Sequence, residues 1–147
     1  MATGKFVTDL DKGDVLGPVE YTLSAFVIRE YAHIVEMHHE CFQGADGLIM
    51  PPTLIHLDKL RLYNHACPAG TGPTARIHYE YDAEVFAPAR VGDRLSVVGH
   101  IRDRYLKKGR EYVLLEMELT NADTGQLLIR YRDQVILAYA TKSEAAA

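Results

Sequence analysis

The stretch ARIHYEYDAEV, residues 75–85, alternates apolar or aromatic side chains with charged or polar ones. Ile77, Tyr79 and Tyr81 fall on one side of the alternation, and His78 and Glu80 fall on the other. Successive side chains of a strand point to opposite faces of a sheet, so this period of two is typical of a half-buried antiparallel strand. We therefore predict a strand over 75–85 with His78 turned to solvent.

Three segments downstream show the same period, at 95–105, 112–120 and 127–139, and turns containing glycine separate them. The strand at 112–120 is predicted to face inward with Val113, Leu115, Met117 and Leu119. Asp133 falls on the nominally apolar face of the last segment. Either a bulge or an inward-pointing functional carboxylate would explain that position, and the bulge is the favoured interpretation.

Upstream of the Pro- and Gly-rich segment 68–73, the apolar residues recur at helical spacing. Ser24 is a plausible N-cap for a helix over 25–40. Pro51 and Pro52 suit the first turn of a second helix, because the N–H that proline lacks would be unpaired there. That helix is apolar over much of its circumference, which predicts that it is buried.

A short first strand at 15–23, two helices and four consecutive strands give an α+β layout. We predict one domain over residues 1–147, with its core at about 13–140 and a disordered tail at 141–147. An antiparallel sheet of about five strands would wrap around the long second helix.

Composition excludes several classes of function. The 16 basic and 20 acidic side chains are interspersed, which argues against nucleic-acid or membrane-surface binding. The chain has no secretory h-region and no membrane-spanning apolar run, and Cys41 and Cys67 form no CxxC pair. These features favour a cytoplasmic protein without a structural zinc. GxGxxG and GKS/T motifs do not occur, so we expect no nucleotide cofactor.

Several turn motifs resemble one known family. Phe86, Pro88 and Gly92-Asp93 precede one strand, Lys108-Gly109-Arg110 precedes the next, and residues 121–125 precede the last. Together with MPPTLIHL at 50–57, they resemble the MaoC-like hot-dog hydratases and dehydratases, in the subgroup related to the N-terminal dehydratase half. The resemblance covers about residues 13–139 and implies a hot-dog domain that forms a dimer.

The resemblance also implies a reaction, the addition of water to a 2-enoyl thioester or its reverse. That reaction needs a base for water, an acid for the neighbouring carbon and donors for the enolate-like oxygen. In active members an aspartate and a histidine five residues apart share the water. N–H groups at the start of the central helix polarise the carbonyl, and the helix dipole assists them.

The sequence departs from that family at the expected acid and histidine. The corresponding segment reads VEMHHECF at 35–42, with no aspartate and no Asn-Pro. Glu36, His38, His39 and Glu40 are the candidate catalytic residues, and a helix would place Glu36 on the same side as His39 and Glu40. A polar helix end is the alternative interpretation of this cluster, and a metal site is a third that its spacing disfavours.

The candidate substrate-binding residues lie elsewhere. Thr53, with Pro52, would bind the thioester carbonyl at the start of the central helix, or Thr53 would cap that helix. Arg102 and Arg104 would contact the phosphates of coenzyme A, or they belong to an ordinary charged hairpin. His56 and His65 are interpreted as satisfied core or interface histidines.

The leading hypothesis is a hydratase or dehydratase acting on a coenzyme A or acyl-carrier thioester. The alternative is a non-catalytic acyl-binding subunit whose partner carries the acid and histidine, in a heteromer with a second hot-dog subunit. A hot-dog thioesterase ranks third, because the first helix shows no motif with a carboxylate aimed at a thioester.

Overall fold

The computed structural model describes residues 6–43, 47–70 and 76–137. One antiparallel sheet contains β1 (Val15–Thr22), β2 (Ile77–Val85), β3 (Arg94–Lys107), β4 (Arg110–Asn121) and β5 (Leu127–Leu137). Their order across the sheet is β1-β3-β4-β5-β2, so β1 and β2 form the two edges. The predicted α+β fold with a five-stranded sheet is confirmed. The predicted disordered tail lies outside the described residues.

The helices are α1 (Ala25–Ile34), the short α2 (Glu40–Gln43) and α3 (Ile55–Ala66), and 3₁₀ turns cover Val7–Asp9 and Pro52–Leu54. The predicted proline turn before the central helix is confirmed, because Pro52 opens the 3₁₀ turn that leads into α3. The four residues predicted to face inward from β4, Val113, Leu115, Met117 and Leu119, are all buried. They line the concave face of the sheet, on which α3 packs.

The central helix α3 buries one side rather than its whole circumference. Ile55, Leu62 and Ala66 are buried against the sheet, whereas Leu57 and Leu60 are exposed. The predicted burial of this helix is therefore confirmed for the side that faces the sheet and wrong for the side that carries Leu57 and Leu60. A single sheet can cover only the side of a helix that faces it, and five strands do not close around α3.

The first helix is shorter than predicted. Ser24 caps α1 as expected, since its Oγ accepts the N–H of Val27 at 3.2 Å. The helix ends at Ile34 instead of residue 40. Glu36 adopts a left-handed conformation with φ 58°, and the N–H of Met37 donates to the carbonyl of Ala32 at 2.8 Å. This is a Schellman ending with glutamate where glycine is usual, so the sequence carries no glycine signal for it.

Two glycines let α3 lie close to β1 and β3. A Cβ on Gly17 would stand 2.8 Å from Leu62 Cδ2 and 3.0 Å from the carbonyl oxygen of Val97. A Cβ on Gly99 would stand 3.0 Å from Leu62 Cδ1. The buried Leu62 side chain therefore fills the space that both glycines leave. Close packing of this kind leaves no room for an added methyl group without a shift of the helix.

Substitution of Gly17 tests whether the fold depends on this close packing of Leu62. Gly17 has φ +86°, so Gly17→Ala adds backbone strain of about 1–2 kcal/mol to overpacking of about 1–3 kcal/mol against Leu62. Gly92 is the matched control, because its φ is +87° and nothing lies within 4 Å of an added Cβ. Urea unfolding should show a clearly larger loss for Gly17→Ala than for Gly92→Ala. Equal losses in the free energy of unfolding would contradict the importance of the contact with Leu62.

The side of α3 that faces β1 carries a buried carboxylate. Asp58 is fully buried and accepts hydrogen bonds from Tyr21 Oη at 3.0 Å and from Arg61 Nη1 at 2.7 Å. The Arg61 guanidinium also lies 3.9 Å from the centre of the Tyr21 ring. Burial raises the pKa of Asp58 to about 6, and the two donors only partly oppose that rise.

This pKa gives stability a definite pH dependence. Its folded value lies above the ordinary 3.8, so the folded chain binds the extra proton between about pH 4 and 6. The free energy of unfolding should therefore fall as pH rises through that window, by at most about 3 kcal/mol from this group. Asp58→Asn should remove that slope in urea titrations at each pH. The exposed Asp82→Asn control should keep it, and a parent without the slope would refute the assignment.

Candidate functional site

The start of α3 is tied to α1 by two hydroxyl groups. Tyr31 Oη donates to Thr53 Oγ1 at 2.7 Å. Pro51 and Pro52 have no N–H, and the N–H of Leu54 already donates to the carbonyl of Pro51 at 2.9 Å. Thr53 therefore supplies the first N–H of this segment that can face a ligand. No side chain caps α3, so the interpretation of Thr53 as a helix cap is wrong.

Two pockets meet at this helix start. The larger one, of about 250 Å³, has an apolar wall made by Ile49, Met50, Pro52, Val85, Phe86, Ala87, Pro88, Ala89 and Ile129. The smaller one, of about 50 Å³, is lined by Pro52, Thr53, Ile55, His56, Tyr81, Ala83 and Tyr131. Pro52 belongs to both walls, so the two pockets lie side by side at the start of α3.

The four predicted catalytic residues do not lie in these pockets. Glu36, His38, His39 and Glu40 are exposed, and none of them lines either wall. Because α1 ends before them, they do not share one helical side as predicted. Their polar contacts are local, since His38 Nδ1 is 3.3 Å from Gln43 Nε2 and the N–H of Cys41 donates to His39 Nδ1. Their catalytic role stays a prediction.

A second group of polar residues lies on the concave face between α3, β2 and β5. Asp133 is fully buried, with Oδ2 3.0 Å from Lys59 Nζ and Oδ1 2.7 Å from His78 Nδ1. The His78 contact is short but poorly aligned, so Asp133 Oδ1 has no hydrogen-bond donor among the described residues. Lys59 Nζ also lies 3.2 Å from His78 Nδ1. Lys59 and His78 border a further pocket of about 160 Å³, whose other lining residues are Leu60, Tyr63, Arg76 and Val135.

The bulge predicted at Asp133 is wrong. Asp133 lies opposite Tyr81 and Leu115 in regular register, and the residues on either side of it alternate normally, so there is no bulge at Asp133. The bulge lies instead in β2, between His78 and Glu80. It changes the phase of the strand and puts His78 on the same face as Tyr81. His78 therefore contacts Asp133, while its side chain stays exposed to solvent as predicted.

His56 lies between the small pocket and this polar cluster. Its Nδ1 is 3.0 Å from Tyr131 Oη, and its ring makes edge contacts with His78 and Tyr81 at centroid distances of 5.5 and 5.0 Å. Burial lowers the pKa of His56, and nearby Lys59 and His78 add to that effect while Asp133 opposes it. Burial, followed by the charge of Asp133, raises the pKa of Tyr131, which therefore keeps its proton. From the sequence, His56 was interpreted as a core or interface histidine and Tyr131 had no predicted role. The inward position of Asp133 was the sequence signal for this cluster.

Arg102 and Arg104 are not brought to the start of α3. Arg102 donates to Glu116 on the convex face of the sheet. Arg104 donates to the carbonyls of Thr8 and Leu10 and to Glu111, at the end of the sheet covered by the N-terminal segment. Arg104 therefore fastens that segment, and contact with coenzyme A by either arginine stays untested.

Substitution of these two arginines tests whether Arg104 holds the N-terminal segment while Arg102 forms an ordinary surface ion pair. Arg104→Ala removes three charge-assisted hydrogen bonds, so we expect a loss of about 2–4 kcal/mol in the free energy of unfolding. Arg102→Ala removes one exposed ion pair, worth at most about 1 kcal/mol. Guanidinium unfolding of both variants measures the difference. A smaller loss for Arg104→Ala than for Arg102→Ala would contradict this role.

Over residues 6–43, 47–70 and 76–137, no group of three His, Cys, Asp or Glu side chains is arranged to hold a metal ion. No helix within the same ranges is long and apolar enough to cross a bilayer.

No protein-family model and no curated protein matches the sequence. Solved structures do match the fold. The C-terminally truncated HadBC complex, a (3R)-hydroxyacyl-ACP dehydratase from Mycobacterium tuberculosis, superposes with a TM-score of 0.72 at 18% identity, over 88% of this chain and 98% of that one. A MaoC-like dehydratase from Rhodospirillum rubrum gives 0.69 at 19% identity, over 92% and 97%.

The (R)-hydratase from A. caviae gives a TM-score of 0.67 at 15% identity, over 86% of this chain and 96% of that one. At these identities the likeness concerns the fold, and it extends over nearly the whole length of each neighbour. The expected hot-dog domain is confirmed. The chain therefore has the hot-dog fold in the form that MaoC-like dehydratases and (R)-hydratases share.

Proposed function

We propose that this chain is a hydratase or dehydratase for 2-enoyl or 3-hydroxyacyl thioesters of coenzyme A or an acyl carrier. The observation that carries the proposal is the apolar pocket of about 250 Å³, which shares Pro52 with the small pocket lined by Thr53. An acyl chain fits such a wall, and a thioester carbonyl fits the start of a helix. The hot-dog neighbours that are hydratases and dehydratases support the same reaction class.

The residues at the helix start have distinct tasks in this proposal. Thr53 N–H would donate to the carbonyl oxygen, whose negative charge increases as water adds to the double bond. Tyr31 would hold Thr53 in place through the 2.7 Å hydrogen bond between their hydroxyls. Pro52 and Ala83 would shape the passage between the two pockets. The substrate itself brings the coenzyme A or acyl-carrier group, so no further cofactor is required.

The test is hydration of a panel of 2-enoyl-CoA thioesters by the purified full chain, followed by loss of the conjugated enoyl absorbance. Ala83→Leu adds three carbons to the pocket of about 50 Å³, so kcat/KM should fall at least about tenfold. Ala69→Leu, in the exposed turn after α3, is the control and should match the parent. A folded parent that neither hydrates nor binds any acyl-CoA would exclude the proposal.

A second candidate function is a non-catalytic acyl-binding subunit. It is favoured by the exposure of Glu36, His38, His39 and Glu40, which leaves the usual catalytic segment without a buried acid and histidine. The edge strand β2 also exposes Tyr79, Tyr81 and Val85, and an apolar sheet edge is a surface that a partner would cover. The neighbour HadBC is itself a complex.

Mass measurement and mixing distinguish the two candidates. An enzyme that works alone should form a homodimer of twice 16.5 kDa and turn over enoyl-CoA. A non-catalytic subunit should bind acyl-CoA without turnover, and it should change the rate or chain-length preference of an intact hydratase subunit with which it copurifies.

A further inference from the structure

His56 shares a pocket with Thr53. Both residues line the small cavity beside Tyr131, and His56 follows Thr53 by three positions, which places the two on one side of the helix start. The 36–40 segment contributes nothing to that wall. An imidazole next to the N–H that would hold a thioester carbonyl is therefore already present in the chain.

The distance from Thr53 limits which polar side chain can act on the substrate. Three residues of helix rise about 4.5 Å, so His56 stands about one turn from Thr53 and Lys59 about two turns. In an enoyl thioester, C3 is only two carbons away from the carbonyl carbon, and attacking atoms must approach to about 3–3.5 Å. Among the imidazoles near α3, His56 is the one that lines the same pocket as Thr53. His78, on β2, lines the neighbouring pocket with Lys59 and does not line the pocket of Thr53.

We propose that His56 is the catalytic acid–base residue of this chain, in place of the aspartate and histidine that the 35–42 segment lacks. This inference rests on the proposed hydratase function. Asp133, Lys59 and His78 act behind His56 as positioning residues, and Tyr131 holds its Nδ1.

The chemical step balances with a single imidazole. Nε2 of His56 takes a proton from water as the water oxygen bonds to C3, and the electrons of the C2=C3 bond move toward the carbonyl oxygen. Thr53 N–H stabilises that oxygen. The proton on Nε2 then passes to C2 as the carbonyl re-forms, so one water is added and His56 is neutral again.

The step requires one tautomer of His56. Nδ1–H must donate to Tyr131 Oη, 3.0 Å away, so that Nε2 offers its lone pair to the pocket. Burial lowers the pKa of His56, which keeps the imidazole neutral and able to accept a proton near neutral pH. Both the contact of Nδ1 with Tyr131 and the lowered pKa are compatible with a base at Nε2.

Asp133 is only partly satisfied by its neighbours. It is fully buried and ion-paired with Lys59, and its Oδ1 has no aligned donor among the described residues. Charged groups around His56 come from α3 (Lys59), β2 (His78) and β5 (Asp133). Asp133 is the one whose charge favours a protonated His56, the state in which the imidazole carries the proton between water and C2.

The experiment compares enoyl-CoA hydration by the full-length parent with His56→Asn. Asparagine keeps a polar atom near the Nδ1 position for Tyr131 and removes Nε2. We expect kcat to fall about 10²- to 10⁴-fold, with acyl-CoA binding unchanged. His65→Asn, on the opposite side of α3 in its last turn, is the matched control and should retain parental kcat. Tyr131→Phe should lower kcat more than it changes KM.

The outcomes separate this inference from the proposed function. A parent that turns over while His56→Asn stays within about threefold of it overturns the role of His56 and leaves the hydratase intact, more so if His38→Ala or His39→Ala collapses. A parent without turnover overturns both. Nitrogen-15 NMR of the imidazole gives an independent readout, because an Nε2-protonated tautomer of His56 excludes the base.

Discussion

The close approach of α3 to one half of the sheet is the constraint on which the rest of the structure depends. Leu62 occupies the space left by Gly17 on β1 and Gly99 on β3, so the helix is held against those two strands. A straight helix on a twisted sheet cannot lie equally close to every strand. The half formed by β5 and β2 therefore remains farther from the helix, and the pockets lie on that side.

This asymmetry gives the two flanks of α3 different polar chemistry. Toward β1, Asp58 is enclosed and satisfied by Tyr21 and Arg61. Toward β5, Asp133 is equally buried but only partly satisfied, and the side chains around it border open pockets. Both carboxylates bear the desolvation cost of burial. Asp58 belongs to the close contact between α3 and β1, whereas the neighbours of Asp133 border an open pocket.

The strand pattern and the helix order could be predicted from the sequence because period-two and period-3.6 spacing report burial directly. Two local features could not. The helix α1 ends on a left-handed Glu36, and glutamate gives no signal for that conformation. The bulge after His78 changes which side chains of β2 face inward, and a single extra residue is invisible in an alternating sequence.

Those two features explain why the candidate site of the structure differs from the one that the sequence predicts. A helix that continued to residue 40 would have aligned Glu36 with His39, and its early end leaves them apart and exposed. A regular β2 would have put His78 on the opposite face from Tyr81, and the bulge brings it within 2.7 Å of Asp133. The residue types needed for acid–base chemistry were all visible in the sequence. Their grouping depends on backbone phase, which is set by hydrogen bonding between strands and at the helix end. The polar residues that the structure groups are therefore those on the pocket side of α3, and those of the 35–42 segment stay outside both pocket walls.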